Sequence, residues 1–269
     1  MQSENKKKII QVGVIIAVLL TIFVNAIAVI LPLNGKTTQE LSDALPNLFV
    51  PVGLTFSIWG VIYILLLVFA GYQARDFFSK QKKDMPWLQP IAPWFFLSSL
   101  ANIAWIFSWH YQQVGLSLLM MFILLISLIL IYLKLNIGKA KTSLHEKLGV
   151  HLLFSVYLGW ITVATIANVT AWLVSIHWDG WGISPGVWTI LVISVAVLIT
   201  YLMLFIRKDM AYSLVVAWAA LGIYLKQTMP PVNTDVSTTA LVAMILIVIG
   251  ILVVLAHYFL KRKPTSASS

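Results

Sequence analysis

The placement of positive charge constrains this chain more than any other feature of its sequence. Eight apolar segments can be drawn, at 9–31, 51–73, 91–109, 115–134, 148–174, 186–206, 210–226 and 238–260. If they alternate across a membrane, sixteen of the eighteen Lys and Arg residues fall on one side. They form five groups: Lys6, Lys7 and Lys8; Arg75, Lys80, Lys82 and Lys83; Lys134, Lys139, Lys141 and Lys147; Arg207 and Lys208; Lys261, Arg262 and Lys263. Only Lys36 and Lys226 fall on the other side. Short loops rich in Lys and Arg stay in the cytoplasm. The expectation is an all-α, eight-span membrane bundle with both termini cytoplasmic, in a bacterial plasma membrane.

Composition agrees with that expectation. Sixty per cent of the residues are hydrophobic and ten per cent charged, against roughly a quarter charged in soluble domains. The net charge of +9 sits at span ends rather than on one face, so it points to anionic lipid headgroups and away from nucleic acid. With no cysteine, disulfides, thiolate metal sites and cysteine nucleophiles are excluded. Lys6–Lys8, the apolar run from Ile9 and Ala26-Ile27-Ala28 imitate a signal peptide. The run continues to Leu31, however, which suits a retained spanning helix. Pro32, Asn34-Gly35, Pro230-Pro231 and Asn233 are read as breakers, and the tail after Lys263 as disordered.

All nine carboxylates are expected in loops or tails: Glu4, Asp76, Asp84, Glu146 and Asp209 inside, Glu40, Asp43, Asp179 and Asp235 outside. Ion-coupled transporters usually keep ionisable groups at midplane, so proton-driven transport is not expected. His151 and His257 lie near inner helix ends and His110 and His177 in outer loops, where solvated structural roles are the ordinary outcome. No metal site is predicted.

Eleven tryptophans are partly explained by interfacial belts, to which Trp87, Trp94, Trp178, Trp181 and Trp188 are assigned. Most of the others fall into stripes. In the second segment Phe56, Trp59 and Tyr63 are spaced to share one helix face; in the third, Asn102, Trp105 and Trp109; in the fifth, Trp160, Ala164, Asn168 and Trp172. At about 1.5 Å rise per residue, all three stripes lie in the outer half of the bilayer. Two roles stay open for the amides. Asn102 and Asn168 could bond to each other or to a backbone carbonyl between helices, or orient a ligand in an aromatic cavity.

At these residues the chain resembles the TspO/MBR family, the tryptophan-rich sensory proteins related to the translocator protein. Trp160-Ile-Thr-Val-Ala164-Thr165-Ile-Ala-Asn168 resembles the family's W-x-x-x-A-T-x-x-N, and Asn102-Ile-Ala-Trp105 its N-x-x-W. Pro51-Val-Gly53-Leu-Thr-Phe56-Ser-Ile-Trp59-Gly-Val-Ile-Tyr63 is similar to its second-span pattern, and Val114-Gly115-Leu116 also fits. Leu54 and the Trp109-His110 pair depart from it. These fragments cover about residues 9–175, read as a five-helix domain (1–175) followed by three additional spans (176–263). The resemblance implies a pocket beneath the first loop that binds porphyrins or other hydrophobic small molecules.

The leading functional expectation is therefore a membrane receptor or sensor for a planar, tetrapyrrole-like ligand held at the ten striped residues named above, with no resident cofactor. The alternative is a transporter of a lipophilic metabolite or lipid that is not ion-coupled. Catalysis finds no nucleophile–base pair or phosphate-binding loop, and Thr162 and Thr165 are as ready to bond backbone carbonyls as to react. Partners are membrane lipids and the ligand, and a homodimer is compatible with the sequence.

Overall fold

The computed structural model describes residues 2–31 and 33–261, with only the backbone for Gln2, Ser3 and Lys261. The Pro32 break, Arg262 and Lys263 of the last basic group, and the tail from 264 lie outside the described residues. Nine helices carry the argument: α1 Gln2–Ile30, α2 Thr38–Asp43, α3 Ile58–Gln73, α4 Leu88–His110, α5 Val114–Lys134, α6 Leu152–Ser175, α7 Pro185–Arg207, α8 Met210–Gln227 and α9 Thr234–Lys261. Among the described residues, seven helical segments are long and apolar enough to cross a membrane. The eighth long helix, α8, has 18 residues and Lys226 in its last turn. Its ends still reach opposite faces of the bundle. Asp209, before its first residue, bonds Tyr132 at the end of α5, while Lys226 pairs with Asp43 of α2.

One face gathers lysines and the other does not. Lys7 of α1 contacts Asp76 and the Lys83 carbonyl, and Arg207 bonds Asn136 in the turn after α5. On the opposite face Asn34 meets the end of α4, and Asn47 meets Thr170 near the end of α6. The eight long helices alternate in direction between these two faces, and seven of them belong to the segments able to cross a membrane.

Local chemistry explains the helix ends. Thr37 and Glu40 form a reciprocal capping box that starts α2 inside the first long loop. Ser184 caps α7, with Pro185 at its first position, and Lys208 in the left-handed region ends it. Asp209 caps α8 by accepting from the Tyr212 amide. A π turn, Lys147–His151, precedes α6.

Several expectations change at this level. Phe56 lies in a 3-10 turn, Gly53–Ser57, ahead of α3, so it does not share an α-helical face with Trp59 and Tyr63. Trp87 is no belt residue: it is 9% exposed, stacks on Tyr72 with centroids 6.4 Å apart, and touches Phe69. The loop that follows α3 folds Trp87 back onto α3, and Arg75 covers the other ring, Tyr72, at 3.9 Å.

Two of the loop carboxylates are buried rather than solvated. Asp209 accepts from Tyr132 (2.9 Å) and Ser155 (2.7 Å), tying α5, α6 and α8 together. Asp76 is 1% exposed and takes Lys7 at 2.6 Å, Gln11 at 2.9 Å and the Lys83 amide at 2.6 Å. Burial alone would raise its pKa, but these donors outweigh burial and hold it at about 2. His151 is also buried, while His257 is exposed as expected.

Candidate functional site

Hydrocarbon surroundings leave a polar side chain no water, so each one inside the bundle must find a protein partner. Asn102, fully buried in α4, finds two. Its oxygen accepts from Asn25 of α1 at 2.7 Å and its amide donates to the Tyr157 hydroxyl at 3.1 Å. Asn168 in α6 accepts from Trp105 Nε1 at 3.1 Å and Ser117 Oγ at 3.3 Å, and donates to the Ala164 carbonyl. Of the alternatives left open for the amides, a direct Asn102–Asn168 bond is not formed, because each amide bonds other partners. Asn25 was missed from sequence; an isolated amide in an apolar run was its only signal.

Above these amides the rings stack. Tyr63, Trp59, Trp105 and Trp109 form a ladder, with successive centroids 5.8, 6.1 and 6.3 Å apart and planes within 21–25° of parallel. Trp160 stands nearly perpendicular to Trp59 and Phe56. Such offset and edge-on pairs each add about 0.5–1.5 kcal/mol beyond burial, so the ladder is a stiff wall. Between it and α6 lies a cavity of about 40 Å³.

Seven of the ten expected residues line this cavity: Phe56, Trp59, Trp105, Trp109, Trp160, Ala164 and Asn168. Three do not. Tyr63 is one step down the ladder, Asn102 is sealed off below it, and Trp172 faces Gly115 at the start of α5. The remaining lining residues are Val163 and Ala167 of α6 together with Thr38, Ser42 and Pro51, which no periodicity could have found. Among buried polar atoms lacking a partner in the described residues, Trp160 Nε1 is the one that belongs to a residue of this lining.

Thr38, Ser42 and Pro51 form a roof built from the first long loop. It is pinned to α4, because Trp109 Nε1 donates to the Thr38 carbonyl at 3.2 Å. His110, expected to be a solvated loop residue, is fully buried and contacts the Leu33 carbonyl and the Thr38 hydroxyl, each at 3.1 Å. A carbonyl can only accept, so Nδ1 donates to Leu33 and Nε2 is left to accept from Thr38 in the neutral ring. His177 remains exposed.

The roof is pinned equally to α8. Val52 donates to the Gly222 carbonyl, Trp218 to the Thr55 carbonyl, Gln227 to the Leu48 carbonyl, and Lys226 pairs with Asp43, each at 3.0 Å. Gly222 is required there: a Cβ would collide with Thr55 Oγ1 and come within 2.9 Å of Pro51. α8 thus holds the lid of a cavity that α3, α4 and α6 wall.

A second, larger space lies on the other side of α6. It is a cleft of about 1520 Å³ between α6 and α7, reaching the roof loop and the turn before α9. Thr162 and Thr165 donate to the carbonyls of Leu158 and Ile161, a packing role with no reactive partner. Among the described residues there is no group of three or more His, Asp or Glu placed to hold a metal.

The family model for TSPO-like proteins matches residues 10–253. That match extends past residue 175, where the recognisable motifs end, and runs into α9. No curated protein and no solved structure matches the chain.

Proposed function

The chain belongs to the TSPO-like family of membrane proteins, and we propose that it is a receptor that takes a planar hydrophobic ligand against the Trp59–Trp105–Trp109 ladder. The observation that carries this reading is the convergence of α3, α4, α6 and the roof loop on one indole-lined cavity holding an unsatisfied N–H, that of Trp160. A flat ligand would stack on the ladder's open side and offer an acceptor to Trp160. Asn168 has one amide hydrogen left for it, while Asn102 is a support for the floor.

Size adds a condition. A cavity of about 40 Å³ has room for a water or so, whereas small-molecule sites occupy roughly 300–1,000 Å³. The ladder rings are stacked on one another and tied to α6 through the Trp105–Asn168 bond, whereas the roof is a loop held by a few hydrogen bonds, so the roof is the part that must lift. Binding is therefore coupled to movement of residues 33–57, and such coupling is what a sensor needs in order to report occupancy.

The test is titration of a porphyrin into purified protein, followed by quenching of intrinsic fluorescence. Trp105→Leu removes a ladder ring and should weaken binding by more than about threefold. Trp181, 75% exposed, provides the control: Trp181→Leu should bind like the wild type. Equal affinity in all three would reject the cavity as the site. Porphyrin flux into proteoliposomes exceeding that of empty vesicles would replace the receptor reading with a transporter.

A further inference from the structure

We infer that the cleft between α6 and α7 is a second binding site, for a lipophilic cation drawn from one leaflet of the bilayer. α6 and α7 are joined by a short turn yet make at most marginal contact with each other; both lean on α8 instead. The gap is walled by aliphatic side chains such as Ile166, Val169 and Leu173 on α6 and Ile190, Leu191 and Val195 on α7. Along α7 its lining runs from Pro185 to Val195. That is eleven residues, or about 15 Å of helix, half of a hydrocarbon core of roughly 30 Å. The depth is that of one leaflet, which suits a tail lying parallel to the lipids.

The rim selects the head. In a chain of net charge +9, the mouth carries three carboxylates, Asp43, Asp179 and Asp235, against one cation, Lys226. Lys226 is already paired with Asp43 at 3.0 Å. The Asp179 carboxylate accepts only the amide of Trp181 in its own turn, and Asp235 makes no side-chain hydrogen bond or ion pair with the described residues. Beside them Trp178 and Trp188 line the mouth, their centroids 5.3 Å apart, with Trp181 packed on both. Carboxylates beside open indole faces favour an alkylated ammonium, whose weak hydration and diffuse charge suit a ring face. An anionic head would meet uncompensated negative charge.

The tail leaves hydrocarbon for hydrocarbon, so its length adds little affinity from within a membrane. Selectivity therefore rests with the head. The aromatic cavity lies on the other face of α6 and shares with this site Ser42 of α2.

The experiment uses the full chain in lipid nanodiscs with radiolabelled hexadecyltrimethylammonium, counted above empty nanodiscs. Unlabelled competitors of equal chain length carry a trimethylammonium, a phosphocholine or a sulfate head. The cation should compete about tenfold better than the sulfate, as two exposed charges at roughly 0.2–1 kcal/mol each and an indole contact allow. That preference should shrink as ionic strength rises.

Asp179→Asn keeps the acceptor for the Trp181 amide, so the turn survives. Together with Asp235→Asn it should cost the cation about threefold to tenfold and let the sulfate compete better, not worse. Leu191→Trp, which fills the cleft, should abolish binding of the label while leaving porphyrin binding intact. Four results would each overturn the assignment: sulfate competing as well as the cation, phosphocholine competing equally and so marking a lipid headgroup site, no effect of the double substitution, or label retained in Leu191→Trp but lost in Trp105→Leu.

Discussion

The two faces of α6 look onto opposite kinds of space. On one, Trp160, Val163, Ala164, Ala167 and Asn168 border about 40 Å³ enclosed by indoles and a pinned loop. On the other, Thr165, Ile166, Val169 and Leu173 border about 1520 Å³ that no neighbouring helix closes. The difference follows from what each face packs against. α3 and α5 pack on α6, and the Trp105–Asn168 and Asn102–Tyr157 bonds link α4 to it through side chains, whereas α7 is held by α8 and α9 and leaves its sequence neighbour uncovered. Ser42 lines both spaces, so movement of α2 alters both at once. A closed site that must open and an open site that need not are expected to respond differently to the same substitutions.

The largest effect is expected where the roof docks on α8. Gly222→Ala drives a Cβ into Thr55, which is 1% exposed, and Pro51. Overpacking of this kind costs about 1–3 kcal/mol. The variant should aggregate at a lower temperature, followed by size exclusion after heating, and should take up porphyrin faster because its roof is displaced. Unchanged thermal stability together with unchanged uptake would show that the roof is not held there.

Asn102→Leu separates floor from wall. It strips partners from Asn25 and Tyr157 and should cost about 1–3 kcal/mol of stability, while porphyrin affinity per folded molecule stays the same. A loss of affinity comparable to that in Trp105→Leu would return Asn102 to the ligand. Trp160→Phe is a smaller perturbation. It removes an N–H with no partner, so stability should hold, while a ligand bearing an acceptor should bind up to about tenfold more weakly. Isothermal titration decides, and equal affinities would mean that this N–H plays no part.

The smallest effect on either space should come from the lysine-rich face. Asp76 has a folded pKa of about 2, below its ordinary 3.8. A lowered carboxylate contributes stability that is fully present above its unfolded pKa and lost as pH falls through the folded one. The wild type should therefore lose this contribution between about pH 4 and pH 2, and Asp76→Asn should lack that component of the acid transition. Ligand affinity at neutral pH should be the same in both proteins.

Much of this was legible in the sequence. Length and hydropathy placed the long apolar helices, seven of which are long and apolar enough to cross a membrane, because both depend on local composition alone. Helical spacing brought Trp59, Trp105, Trp160 and Asn168 together for the same reason. What was not legible depends on contacts distant in sequence. The roof residues Thr38, Ser42 and Pro51 belong to a loop without periodicity, located by bonds to Trp109, Gly222 and Gln227. His110 and Trp87 were misplaced because each is buried by a chain segment that returns after a turn. The cleft was invisible, since nothing local states that α6 and α7 diverge.

In the proposed receptor, the aromatic cavity admits its ligand only when the roof lifts. The chain has no cysteine, so Asp43→Cys and Lys226→Cys, two partly exposed partners now 3.0 Å apart, can be bridged uniquely by a short cleavable bismaleimide. Porphyrin is then titrated into the bridged protein, and again after the bridge is cut. Affinity should fall at least about tenfold while the roof is bridged and recover on cleavage. Equal affinity in the two states would contradict a lifting roof.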